Sequence, residues 1–308
     1  LDAAAFHIPA DNLMTPEKIA LGQSLFFDKR LSADNRISCA SCHMPALAFT
    51  DGQPVSTGIK HQQGGRSAPT AINRGFSKVQ FWDGRAPTLE AQSVGPLSNP
   101  IEHGFVDNAA IVTKLNSIPG YQKAFKDVFG TKITVEAVGQ AIATFQRTLL
   151  SGNSPFDRFE SGKDANAISD AAQRGLKLFR GKARCSICHS GFNFADENFH
   201  NLGVGWGHEV VDLGRYHVTQ KQQDIGAFKT PTLREIEHTA PYMHDGSLGT
   251  LEDVIDFYDQ GGIQNPFRSA LVMPLKLTDA EKKDLATFLR TLSGEGWQQI
   301  KTPETFPQ

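Results

Sequence analysis

The sequence contains only four cysteines among its 308 residues, and all four fall within two short motifs. None is left to form a disulfide bond elsewhere in the chain. No apolar run approaches the ~20 residues that a membrane-spanning helix requires. The net charge of −2 provides no excess of positive charge that would favour nucleic acid or an anionic membrane. The low cysteine content, the lack of a long apolar run and the small net charge argue against a disulfide-rich, membrane-spanning or nucleic-acid-binding protein. They are compatible with a small protein as a binding partner.

The two cysteine motifs, residues 39–43 and 185–189, both read Cys-Xaa-Xaa-Cys-His. Two thiols at this spacing can each form a thioether to a haem vinyl group, and the adjacent imidazole can bind the iron. A zinc site could use the cysteine pairs but would not need the same trailing histidine twice. The motifs therefore predict two covalently attached c-type haems. The predicted attachment residues are Cys39, Cys42, His43, Cys185, Cys188 and His189.

The chain length suits two domains of ordinary size, each carrying one haem. We expect an N-terminal cytochrome c-like domain over 1–150 and a C-terminal one over 151–308, whose tail packs back on the first. The sequence begins at Leu1 without a signal-like apolar stretch. Because covalent haem attachment in bacteria takes place outside the cytoplasm, we expect a processed, soluble periplasmic protein.

A duplication supports the division into two halves. A Gly-x-x-Leu-Phe element at 22–26 recurs at 175–179, in each case shortly before a haem motif. Downstream, three short matches share a constant spacing of 162 residues, which chance dipeptides would not maintain. The matching pairs are Pro69-Thr70 with Pro231-Thr232, Asp83-Gly84 with Asp245-Gly246, and Thr88-Leu89-Glu90 with Thr250-Leu251-Glu252.

Apolar residues at helical spacing predict a mainly α fold. The predicted helices are Pro16 to Leu25, Ala109 to Phe129, Thr134 to Leu149, Ala171 to Phe179, Leu251 to Tyr258 and Thr278 to Leu292.

The repeat also predicts that the two irons differ. Tyr258 lies in the helix that follows the second Thr-Leu-Glu, and Pro96 is its counterpart in the first half. Proline cannot bind iron, so the haem of His43 should be open on its second face if this helix provides the other axial ligand. Gln92 and Glu102 stand near Pro96, and a carboxyl in an apolar pocket is suited to move protons during peroxide cleavage.

The segment Phe81-Trp82-Asp83-Gly84-Arg85, with the later Gln92, Pro96 and Glu102, resembles the bacterial di-haem cytochrome c peroxidase and MauG family. The resemblance extends from the first helix to Leu292 and includes Pro241-Tyr242-Met243-His244-Asp245-Gly246. It implies that Trp82 lies between the haems and that Gln92 and Glu102 line the peroxide site. It also implies an inter-domain calcium ion at Thr239 and Pro241. The third calcium position, an Asn in the family, is Ser67 here.

Two departures favour the MauG-like branch. The peroxidases have a methionine ligand where this sequence has Tyr258, and MauG has a tyrosine; Met273 is the competing ligand here. The second departure concerns a switch histidine in peroxidases that need prior reduction. Ile59 occupies its position here, and His61, two residues later, could substitute for it.

MauG also has a tryptophan before its second haem motif, where this chain has Ala183. That difference predicts a protein substrate other than the MauG substrate, with Trp206 and Trp297 as possible electron exits.

The resulting prediction is an oxidoreductase that reacts with hydrogen peroxide, forms a high-valent bis-Fe(IV)-type state and oxidises residues of a periplasmic partner protein by long-range electron transfer. One alternative is a conventional di-haem peroxidase that takes electrons from a small cytochrome c or cupredoxin. The other is a non-catalytic di-haem electron carrier or sensor.

Overall fold

The computed structural model describes residues 5–308 and is mainly helical, as predicted. The α-helices of this part of the chain are α1 (Pro16–Phe27), α2 (Cys39–Cys42), α3 (Leu89–Val94), α4 (Asn108–Asn116), α5 (Pro119–Phe129), α6 (Val135–Gln146), α7 (Pro155–Glu160), α8 (Asp170–Arg180), α9 (Tyr216–Thr219), α10 (Leu251–Asp259) and α11 (Asp279–Arg290). The strands are β1 (Ser151–Gly152), β2 (Phe199–His200), β3 (Phe228–Lys229) and β4 (Glu295–Gly296). β1 pairs antiparallel with β4, and β2 pairs antiparallel with β3. None of the helices in this range is long and apolar enough to cross a membrane.

The repeated Gly-x-x-Leu-Phe elements lie where two helices cross in each half. α1 packs on α6 at Gly22, and α8 packs on α11 at Gly175. A Cβ atom at either glycine would collide with a backbone carbonyl, that of Ala141 in the first half and that of Asp284 in the second. The repeat therefore contains glycine because the helix backbones touch there.

Two separate apolar cores surround these crossings. The first is built from buried side chains between residues 21 and 149 together with Trp297, and the second from residues 156 to 292. Phe26 and Phe49 pack beside His43 in the first core, and Phe179 and Phe194 lie together in the second. The domain limits at 150 and 151 stay a prediction.

The C-terminal segment returns to the first core. Trp297 is buried there against Phe49. Farther along, the Gln23 side chain donates to the carbonyl of Lys301 at 2.8 Å, and Arg30 donates to that of Pro307 at 2.7 Å. Trp297 therefore fills the core and is not exposed to a partner protein.

The prediction of one helix from Ala109 to Phe129 is wrong. The structure has α4 and α5 there, separated at Ser117 and Ile118. Pro119 is the first residue of α5, where its missing N–H costs nothing, but it could not continue α4 without removing a backbone hydrogen bond.

Candidate active site

Each cysteine motif borders its own large cavity. The first cavity has a volume of about 1700 Å³, part of it open to solvent, and Cys42 and His43 line it. The second has about 1820 Å³, also partly open, and Cys185, Cys188 and His189 line it. All four cysteines are free of disulfide bonds.

Both histidines are oriented in the same way by a backbone carbonyl. The Nδ1 atom of His43 lies 3.0 Å from the Phe49 carbonyl, and that of His189 lies 2.9 Å from the Phe194 carbonyl. Because a carbonyl only accepts, Nδ1 must donate and Nε2 keeps its lone pair. Burial lowers the pKa of each imidazole, which favours the neutral form. Neutral, oriented imidazoles beside unpaired thiols are the donor set that a c-type haem requires.

Trp82 lies in the wall that the two cavities share. Its indole Nε1 donates to the Ser67 carbonyl at 2.9 Å, and its own carbonyl accepts from the Lys229 N–H at 2.8 Å. These two bonds hold the indole between one segment of each half of the chain. The structure thus places Trp82 where it borders both predicted haem sites.

Glu102, Gln92 and Pro96 all line the first cavity. Glu102 accepts a hydrogen bond from the Asn99 amide at 2.6 Å. Burial raises the pKa of Glu102 above its usual value, although nearby Arg85 and the Asn99 bond oppose the shift. The Gln92 side chain accepts a hydrogen bond of 3.4 Å from Gln146.

The helix next to Pro96 ends early. α3 stops at Val94, whereas its repeat counterpart α10 continues through Tyr258 to Asp259. At the first cavity, Pro96 therefore lies beyond the end of α3. At the second cavity, the corresponding residue, Tyr258, lies within α10. This difference leaves the first cavity without an iron-binding side chain at this position.

Both candidate ligands for the second iron line the second cavity. Tyr258 lies on α10, and its hydroxyl has no hydrogen-bond partner among residues 5–308. Burial raises the pKa of this phenol, so it ionises only if a cation such as ferric iron compensates the charge. Met273 is 45% exposed and lies in the segment between α10 and α11. The choice of Tyr258 over Met273 stays a prediction.

The residues predicted to hold calcium border the second cavity. Thr239, Pro241 and Ser67 all line it, and the peptide bond between Ala240 and Pro241 is cis. One lone pair of the Ser67 carbonyl already accepts the Trp82 N–H. The calcium ion stays a prediction.

Several residues at the first cavity were not predicted from the sequence. The segment between β2 and β3 contributes Asp212 and, on the short helix α9, His217, and Arg66 connects this segment to the first half. Arg66 donates to Asp212 at 2.6 Å and to Asp83 at 2.7 Å. The polar composition of this segment was the one signal in the sequence for a position at the cavity. The contact between Arg66 and Asp212 could not be predicted, because the two residues are 146 positions apart in the sequence.

The structure offers no role at this cavity to the suggested switch positions. His61 is exposed and does not line the cavity, and Ile59 is buried against Gly104. At the second cavity, Ala183 is buried in the core, and Trp206 packs against Phe267 in the β2–β3 loop region.

Comparisons with known proteins agree with this geometry. The family described as di-haem cytochrome c peroxidase matches residues 16–165. The methylamine utilization protein MauG of Methylorubrum extorquens is 42% identical over 93% of this chain and 81% of its own length. The cytochrome-c peroxidase IdrP1 of Denitromonas iodatirespirans is 39% identical over 93% of this chain and 84% of its own. Among solved structures, a MauG-like protein associated with microbial copper homeostasis superposes with a TM-score of 0.87, at 35% identity over 95% of this chain and 94% of its own.

Proposed function

The chain belongs to the di-haem cytochrome c peroxidase and MauG family, and we propose that it uses hydrogen peroxide to oxidise residues of a partner protein by long-range electron transfer. The family implies two c-type haems and a haem-dependent oxidoreductase that acts on peroxide. When bound, these haems supply the redox-active irons that accept oxidising equivalents from peroxide. We further propose a periplasmic location and a calcium ion at Thr239, Pro241 and Ser67.

The two sites have different tasks in this proposal. His43 would hold the iron of the peroxide-reactive haem, and Pro96 provides no iron-binding side chain in that cavity. His189 and Tyr258, which line the second cavity, would hold the second iron. Tyrosinate is a hard anionic ligand that stabilises oxidised iron, whereas a methionine thioether favours reduced iron and a high potential.

Proton transfer in the first cavity is assigned to Glu102. Its carboxylate takes the proton from the proximal oxygen of peroxide and returns it to the oxygen that leaves as water. The Asn99 side-chain amide donates to one oxygen of Glu102 at 2.6 Å, and this hydrogen bond fixes the orientation of the carboxylate. Gln92, held by Gln146, supplies an amide that can hydrogen-bond to bound peroxide.

Trp82 is assigned to electron exchange between the sites. Its indole borders both cavities, and its hydrogen bonds to Ser67 and Lys229 fix it in the shared wall. An oxidising equivalent generated in the first site can thereby reach the second. This arrangement suits an enzyme that stores two equivalents before it meets its protein substrate.

The observation that carries the MauG-like proposal is Tyr258 on α10, whose side chain lines the second cavity. The buried Ala183 replaces the tryptophan through which MauG passes electrons, so we propose a different docking route and a different protein substrate. The similarity to a MauG-like protein associated with microbial copper homeostasis supports a secreted copper-related protein as that substrate.

A conventional cytochrome c peroxidase is the second candidate. The 39% identity to a cytochrome-c peroxidase supports it. In that case the two oxidising equivalents would be consumed rapidly by a small reduced cytochrome c or cupredoxin.

Peroxide addition to the fully loaded, oxidised protein separates the two functions. The MauG-like proposal predicts a two-electron-oxidised state that decays slowly without a reductant and is poorly consumed by reduced cytochrome c. Stopped-flow absorption with one equivalent of peroxide, with and without reduced cytochrome c, measures both quantities. Rapid turnover with cytochrome c and no persistent oxidised state would assign the protein to the peroxidases.

A further inference from the structure

Arg74 is a buried cation, and no acidic side chain of the described part of the chain forms an ion pair with it. Its side chain is 9% exposed and lines both cavities. Neither Nε nor Nη2 has a hydrogen-bond partner among residues 5–308. A guanidinium has five N–H donors, and leaving them unsatisfied inside a protein is costly. These donors therefore call for an acceptor that enters from the cavities.

The backbone fixes Arg74 at this position. It opens the turn Arg74–Phe76, and the preceding Asn73 has the left-handed φ of 59°. Asn73 donates its N–H to the Leu149 carbonyl at 2.8 Å and its side-chain amide to the Ser151 carbonyl at 3.1 Å. The arginine is thus anchored beside the junction of the two halves.

Lys229 brings a second buried cation to the same wall. It is 4% exposed and also lines both cavities. Its ammonium lies 3.6 Å from a Glu197 carboxylate oxygen and 3.3 Å from the Thr230 carbonyl. Burial and the charge of Arg74 lower the pKa of Lys229 to about 8.

The acidic groups nearby do not provide a contact for Arg74. Glu197 accepts from the Ser77 hydroxyl at 3.0 Å and faces Lys229, but its second oxygen forms no hydrogen bond. Asp196, next to it, is bound by His200 at 2.9 Å and by the Asn198 N–H. Among the residues that the structure describes, Nε and Nη2 of Arg74 thus have no acceptor, and they lie between the two cavities.

We propose that Arg74 and Lys229 form one cationic site that binds carboxylates from both haems, one propionate from each. A haem carries two propionates, and these are the anionic groups that a loaded protein brings into both cavities. Carboxylates bound to a shared guanidinium would fix the facing edges of the two haems on either side of Trp82. Both residues are cofactor-binding groups that set the redox equilibrium and relative orientation of the haems. The inference rests on the two haems of the proposed function, but not on the choice between MauG-like and peroxidase activity.

The test compares Arg74→Gln and Lys229→Met with the control Arg174→Gln, which removes an exposed arginine from α8. Holoproteins with two covalent haems per chain are titrated by spectroelectrochemistry, and resonance Raman spectra record the propionate modes. Loss of a buried positive charge favours oxidised iron. At a fixed potential, the oxidised-to-reduced ratio of both haems should rise on the order of tenfold in either variant, as expected when a unit charge roughly 10 Å from each iron is removed at an effective dielectric constant of about 20.

The propionate modes should change in both variants, and the control should match the native protein. A shift confined to one haem, no shift, or unchanged propionate modes would overturn the proposal. Potentials of the native protein that depend on added inorganic phosphate would also overturn it, because the site would then hold a free anion. Since redox titration needs no turnover, failure of the proposed enzymatic function leaves this result unaffected.

Discussion

Replacing Glu102 by Gln should slow the reaction of the oxidised protein with hydrogen peroxide. The substitution keeps the size of the side chain and an oxygen that can accept a hydrogen bond from Asn99. In the native protein, the Asn99 amide donates to the carboxylate at 2.6 Å. It removes the group that accepts and returns the proton. Loss of a positioned acid–base group lowers rates by about 10²- to 10⁴-fold, or about 3–5 kcal/mol of transition-state stabilisation.

Stopped-flow absorption under pseudo-first-order peroxide measures this rate as a function of pH. Burial raises the pKa of Glu102, and only the deprotonated form accepts a proton, so the native rate should increase as pH rises through that pKa. The Gln variant should lose this dependence. Glu136→Gln, an exposed substitution in the first turn of α6, is the matched control. A Glu102→Gln protein that reacts as fast as the native one, with the same pH profile, would refute the assignment.

Three further substitutions test other parts of the account. Trp82→Phe should leave both haems attached but slow the transfer of oxidising equivalents between them, because the indole that borders both cavities is lost. Freeze-quench electron paramagnetic resonance after peroxide addition measures the transfer rate. An unchanged rate would mean that the tryptophan is only structural. Tyr258→Phe should change the signal of one haem only, and an unchanged spectrum would transfer ligation to Met273 or another group. Arg234→Met should destabilise the second half by about 3 kcal/mol, because Arg234 is 1% exposed and forms bonds of 2.7 and 2.8 Å to Asp157. Since the ion pair lowers the pKa of Asp157, its contribution is present above the usual pKa and is lost as pH falls through the lowered value. The difference between native and variant denaturation midpoints should therefore shrink in acid, and a pH-independent difference would contradict the ion-pair explanation.

Local sequence patterns predicted the helical fold because the apolar spacing and caps are short-range signals. Thr278 and Glu281, three residues apart, form the capping box that starts α11 at the predicted position. The repeated glycines at 22 and 175 were visible as a pattern, but the helix crossings that require them depend on residues more than a hundred positions away. The break before Pro119 was missed because the apolar spacing on both sides is continuous in phase.

The site shows the same division between local and long-range information. The cysteine motifs carry their chemistry within five residues, so they could be found without a structure. Asn99 became a partner of Glu102 only once the turn between them was known. Arg74 and Lys229 are 155 positions apart in the sequence, and neither belongs to a motif that predicts a position between the two cavities. Their significance follows from burial and missing partners, which sequence spacing cannot report.

The proposed function requires two unequal haems, one open beside Pro96 and one closed by Tyr258. Electron paramagnetic resonance of the resting ferric protein, loaded with both haems, tests it most directly. We expect one high-spin and one low-spin signal in equal amounts. Two low-spin signals would contradict it, because both irons would then have two strong axial ligands and the protein would match a non-catalytic electron carrier or sensor.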